Sequence, residues 1–115
     1  MPSFTLTDLA RDVWVDHWSL NPADLGISAD THWSITKRTL RGGRRDGVDL
    51  IHLDNGSLAR SILPTRGMNL WKGHYHSEPL GWHSPVTDGP VHPKLVNLAN
   101  AGGIGWLDGF DELLA

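Results

Sequence analysis

Residues 58–82, LARSILPTRGMNLWKGHYHSEPLGW, lay out as strand, turn, strand, turn, strand, and this stretch restricts the fold more than any other. Residues 58–63 are a short run with apolar side chains on both faces. Pro64 then removes a ladder donor and ends the run, and Gly67 permits a tight reversal that a side chain would obstruct. A second strand can start at Met68. From there Met68 and Leu70 fall on one face and Trp71 and Tyr75 on the other, the period of two expected when both faces are packed. Such a strand belongs inside a sandwich.

The residues before this stretch extend the pattern. Residues 33–38 alternate Trp33, Ile35 and Lys37 with Ser34, Thr36 and Arg38, and Gly42, Gly43 and Gly47 then frame a basic loop. Residues 48–53 alternate again, and Asp54-Asn55-Gly56-Ser57 reads as a type I′ hairpin turn pairing 48–53 with 58–63. After His76-Ser77-Glu78-Pro79, a turn, a short strand is expected over 80–83, followed by a Pro- and Gly-rich loop over 84–93. Five antiparallel strands result.

Both ends differ in character. Thr7 is placed to cap a short helix running to Asp12, and Asn21-Pro22-Ala23-Asp24 reads as a cap followed by proline at the first helical position. Between them Val13, Trp14, Val15 and Trp18 form an apolar patch that must dock on the sheet to escape water. Residues 1–32 are therefore expected to be a covering segment, with residues 33–115 as the first part of a β-sandwich domain. In the tail, Gly102, Gly103, Gly105 and Gly109 disfavour a long regular element and favour a loop whose backbone comes close to something. Asp111 to Leu114 are expected to begin a helix, cut short by the end of the sequence.

Composition excludes several classes of function. An apolar fraction of 39% supports a packed core, while a net charge of −3 with both signs interspersed gives no general attraction to nucleic acid or anionic lipid. There is no cysteine, hence no disulfide or thiolate chemistry, and residues 1–13 lack the basic start and apolar core of a signal peptide. No apolar run approaches the length of a membrane span. A cytoplasmic protein is expected. Its six tryptophans suit a β-core or a surface on which sugars stack.

Four ordered blocks, KRTLRGGRRDGV at 37–48, LPTRGMNLW at 63–71, PLGWHSP at 79–85 and GIGWLDGFDE at 103–112, together resemble DUF4432, a family of galactose-mutarotase-like proteins related to aldose 1-epimerases. The resemblance implies an all-β fold, an antiparallel β-sandwich of galactose-mutarotase type with short N-terminal helical turns. It implies a sugar as ligand, no cofactor, and an isomerase acting on the anomeric carbon of a hexose or modified sugar. Such a sandwich needs about 200–250 residues, so this chain would supply its first part and be inactive alone. Mutarotation requires a base for the anomeric hydroxyl proton and an acid for the ring oxygen. In related mutarotases these groups lie further along the chain, so none is assigned here.

Residues for binding can be proposed. Arg66 can reach a concave face as a donor to hydroxyls or carboxylates, or tie its turn to backbone carbonyls. His92 can line the site or stay in a solvated loop. Trp106, Asp108 and Asp111, with Glu112 beside them, can supply an aromatic plate and acceptors for hydroxyls; Trp106 and Phe110 can equally be core, and the acids a helical first turn. His74 and His76, two apart on a strand, share a face and with His52, His83 or Glu78 could hold a metal in a cupin-like barrel, although spacing alone is a weak motif and no metal is assigned. Arg41-Gly42-Gly43-Arg44-Arg45 suggests phosphate contacts, but one copy in an acidic chain reads as a solvated loop, and no nucleic-acid partner is expected. Besides the epimerase, a non-catalytic sugar-binding or regulatory module on the same fold remains open.

Overall fold

The computed structural model describes residues 2–28, 30 and 32–114. Eight strands form in chain order: β1 (Thr7–Asp8), β2 (Val13–Trp14), β3 (Trp18–Leu20), β4 (Ser34–Thr39), β5 (Asp49–Asp54), β6 (Leu58–Leu63), β7 (Asn69–Tyr75) and β8 (Glu78–Leu80). β1 and β2 make a small hairpin, and β3 to β8 form one six-stranded sheet whose spatial order follows the chain order. Every pairing is antiparallel.

The alternation read over residues 33–75 corresponds to β4 to β7, and β5 and β6 pair with Ile51 opposite Ile62. Their turn is not type I′: of its central residues only Gly56 has positive φ, at 95°. The Asn55 side chain instead accepts from Ser57 N at 3.0 Å and Leu58 N at 2.8 Å, so asparagine orders the turn through its amide oxygen. After β6, Gly67 (φ 72°) and Met68 (φ 63°) both take left-handed conformations, which delays β7 to Asn69. The register between β6 and β7 slips between Arg60 and Ile62, a bulge with the additional residue on β7.

Two expected helices are absent, for identifiable reasons. Residues 7–14 form a hairpin because Asp8 accepts from Arg11 N at 3.2 Å and Arg11 Nε at 2.6 Å, closing a turn at which Asp12 has φ 55°. Residues 113–114 bridge to β7 in place of a helix, because β8 covers only Gly73–Tyr75 of that strand. Leu70 N donates to Leu114 O at 2.9 Å and Leu113 N to Leu70 O at 2.8 Å, filling ladder positions that β8 leaves open. The Asn21 cap forms as read. Asp24 N donates to Asn21 Oδ1 at 3.2 Å and Asn21 N to Asp24 Oδ2 at 2.9 Å, a reciprocal box opening the 3-10 turn Pro22–Leu25. Trp18 does not lie over the sheet; it joins it as the edge strand, opposite Lys37, with Phe4 packed on its ring at 5.2 Å.

The buried core is Leu40, Val48, Leu50 and Leu63, with Trp71 against it. The opposite face carries the row Lys37, Ile51, Ile62 and Leu70, aligned by register across four strands. Lys37 is 5% exposed, and its ammonium donates to Val15 O and to Asp49 Oδ1, so the buried charge is satisfied. Residues 84–114 fold over the core face with little regular structure. Among the described residues no helix is long and apolar enough to cross a membrane.

Candidate functional site

The 3-10 turn Pro64–Arg66 ends β6 and places Arg66 against the tail. Its guanidinium donates through Nε to Glu112 Oε1 and through Nη1 to Val91 O at 2.7 Å. The Glu112 side chain is 1% exposed, and it also accepts from Asp111 N at 3.0 Å on Oε2 and from Asn69 Nδ2 at 3.5 Å on Oε1. Neighbouring residues converge on the same stretch: Trp71 Nε1 donates to Asp111 Oδ2 at 2.7 Å, Trp82 Nε1 to Glu112 O at 3.0 Å and Ser84 Oγ to Phe110 O at 2.7 Å. Residues 110–112 are thus a hub that ties the tail to β7 and to the β6 turn.

Burial pushes the Glu112 carboxyl up, but the Arg66 hydrogen bond, the Asp111 N–H and the Arg66 charge outweigh it and hold it below the ordinary value. A depressed carboxyl stabilises the folded state fully above the unfolded value of about 4.5, and that stabilisation is lost as pH falls through the lower folded value. Acid titration followed by indole fluorescence is therefore expected to show Trp71 and Trp82 losing their environment below pH 4.5. An acid transition unchanged in Glu112→Gln would refute that assignment.

Of the four tail glycines, Gly105 and Gly109 permit close approach, whereas Gly102 and Gly103 have open space around them and instead take positive φ, at 75° and 102°. A Cβ on Gly105 would sit 1.8 Å from Asn97 O, and one on Gly109 would sit 2.9 Å from Val96 Cγ2 and 3.4 Å from Arg66 Nη1. Gly105→Ala is expected to cost about 2 kcal/mol, in the range of overpacking, because the obstructing atom is backbone. Thermal melts of the two proteins test it, and an unchanged midpoint would count against the tail conformation.

A cavity of about 390 Å³ opens between the turn and residues 93–106, lined by Thr65, Arg66, Gly67, Pro93, Val96, Leu98 and Trp106. It unites two of the residues singled out from the sequence, Arg66 and Trp106. Trp106 is 46% exposed and stands edge-on to Phe110 at 5.4 Å, so one part of the ring is anchored and the rest is open. The other three are not on the cavity wall. His92 precedes the wall residue Pro93, and its Nδ1 accepts from Lys94 N at 3.2 Å while its own N–H donates to Arg44 O at 2.8 Å. Burial and then the Lys94 charge push the imidazole pKa down, which favours the neutral ring that can accept this bond. Asp108 is exposed on the 3-10 turn Gly105–Gly109, and Asp111 is buried beneath Trp71. Thr65, Val96 and Leu98 had no mark in the sequence. Glu112, read from the sequence as a further acceptor for hydroxyls, is off the wall and accepts from Arg66 instead.

A somewhat larger cavity, about 430 Å³, lies at the other end of the sheet around Trp33, Asp54 and the Pro22–Leu25 turn, and it holds none of the candidate residues. The smaller one is the better candidate site because a fixed guanidinium and an open indole meet there. Elsewhere, Arg44 of the basic loop is forked onto Asp88 at 2.8 and 2.5 Å, which commits that cation to a partner. His74 Nδ1 lies 2.8 Å from His76 O and His52 Nδ1 3.1 Å from Ser61 Oγ. Among the described residues no group of three His, Asp or Glu side chains could hold a metal.

Comparison with known proteins agrees with this architecture. A solved structure titled a "putative aldose 1-epimerase", from Klebsiella pneumoniae subsp. pneumoniae MGH 78578, superposes with a TM-score of 0.87 at 33% identity, covering 95% of this chain and 28% of that one. The chain thus spans 28% of the length of that relative. No curated protein matches the chain. The fold is the antiparallel β-sandwich expected of a galactose-mutarotase-like protein, in part, with short 3-10 turns. The model of the domain of unknown function DUF4432 matches residues 45–115, well over half of the sequence, and the chain belongs to that family.

Proposed function

We propose that this chain is the first part of a carbohydrate-binding, aldose 1-epimerase-like protein acting on the anomeric carbon of a hexose or modified sugar in the cytosol. The observation that carries the reading is the extent of the match: 95% of the chain superposes on a relative whose title offers that activity, at 33% identity. The cavity adds chemical support, since Arg66 offers donors for sugar hydroxyls and Trp106 an apolar plate for a ring face. In this reading residues 33–115 begin the sandwich and residues 1–32 cover it, with β3 as their contribution to the sheet. His92, Asp108 and Asp111 serve at the margin of the site, His92 by holding the segment that carries Pro93, and Asp111 by fixing Trp71.

Catalysis requires an acid and a base, and none is assigned on this chain. Glu112 is committed to Arg66 and Asp111 to Trp71, so these two carboxylates act in holding the fold, and sugar binding without anomer exchange is the second reading. The deciding experiment is NMR exchange between α and β anomers of D-glucose and D-galactose, with the full-length protein that contains this chain. Faster exchange supports the epimerase. Sugar-dependent resonance shifts without faster exchange support the binding module, and an absence of both overturns the two together.

A further inference from the structure

We propose that Glu112 is a positioning residue for sugar binding: it holds the Arg66 guanidinium so that the Nη2 end is presented to the cavity. This inference rests on the reading of the Arg66–Trp106 cavity as the sugar site. Arginine has five N–H donors on a planar fork, and an unrestrained one samples many rotamers, so its value as a binding group depends on what fixes it. Here Nε is bonded to Glu112 Oε1 and Nη1 to Val91 O, while Nη2 has no hydrogen-bond partner among the described residues and is not a buried orphan. Arg66 itself lines the cavity. Two ends of the fork are therefore spent on protein, and the third is left for a ligand.

The direction of control follows from how Glu112 is held. Its carboxylate accepts from Asp111 N and Asn69 Nδ2 as well as from Arg66, and its backbone carbonyl accepts from Trp82 Nε1. None of these three contacts passes through Arg66, so Glu112 is the fixed post and the arginine is what it orients. The arrangement reaches across 46 positions of sequence, from the β6 turn to the end of the tail. A preorganised donor spares the bound state the cost of ordering a long side chain, which shows as affinity.

The test is a double-mutant cycle in the full-length protein, with D-glucose and D-galactose affinities read by NMR titration. Arg66→Met is expected to weaken binding about tenfold, the usual scale for a hydrogen bond from a charged group. Glu112→Gln should weaken it to a similar degree, and the double variant should bind no worse than Arg66→Met alone, because Glu112 acts only through Arg66. Independent, additive losses would overturn the proposal, as would wild-type affinity in Glu112→Gln beside a weakened Arg66→Met, which leaves the site intact. Wild-type affinity in Arg66→Met would remove the site reading and this inference with it. Should Glu112→Gln fail to fold, the unmutated protein still decides: the Arg66 Nε–H resonance, assigned by its loss in Arg66→Met, should exchange slowly before any sugar is added. An Nε–H that becomes protected only with sugar bound would overturn the proposal.

Discussion

Leu63→Ala is expected to lower the unfolding free energy by about 3 kcal/mol, within the range for emptying a fully buried leucine site. Leu63 has 0% exposure, is the last residue of β6 and belongs to the cluster of Leu40, Val48 and Leu50 against which Trp71 packs. The loss combines transfer of the missing carbons to water with a cavity that the sheet cannot close, because the neighbours are fixed by strand register on either side. The effect extends to the candidate site. Pro64–Arg66 begins at the next residue, and Trp71 connects this core to Asp111. Urea unfolding gives the energy, and near-UV circular dichroism reports whether Trp71 stays packed. A loss below about 1 kcal/mol would mean that the site is not supported by this cluster.

Glu112→Gln should cost a similar amount, about 3 kcal/mol, for a different reason: it leaves the largely buried Arg66 charge without its counterion. The signature lies in the comparison with Arg66→Met/Glu112→Gln, which removes the stranded charge and should recover part of the loss. If the double variant is less stable than Glu112→Gln by the full cost of a second independent substitution, the pair is not the electrostatic unit the geometry describes. Arg44→Ala provides the contrast. Its partner Asp88 is open to solvent, with side-chain exposures of 41% and 49% across the pair, so its removal should leave stability nearly unchanged even though Arg44 makes two bonds to its carboxylate and Arg66 only one.

The central strands were readable because alternation, proline and glycine act locally. Residues 48–53 and 58–63 announced their pairing through Asn55-Gly56, although the turn uses the asparagine side chain where a left-handed asparagine was expected. β3 was not readable: three residues are too few to show a period, and Trp18 as part of an apolar patch looks the same whether it lies over a sheet or joins its edge. The end of the tail was misread for a related reason. Residues 111–114 have helical composition, but the unpaired half of β7 offers hydrogen bonds that a lone helical turn cannot match. At the candidate site, Arg66 and Trp106, which share the cavity wall, stood out in the sequence by residue type beside glycine. The roles of Asp111 and Glu112 were not, because their partners Trp71 and Arg66 lie 40 and 46 positions away and leave no trace in local pattern.

The order of the sheet has a consequence for how the chain is made. Because β3 to β8 neighbour one another in the order in which they occur, each strand pairs with its immediate predecessor and no closure has to span a further strand, which keeps the entropy of each one low. Synthesis from the N-terminus therefore delivers every strand of the sheet, Arg66 and Trp71 included, before residues 110–112 exist. Until those residues leave the ribosome, the Arg66 guanidinium has no carboxylate beside it and the Trp71 indole N–H has no acceptor, and Asp111 and Glu112 supply both at once.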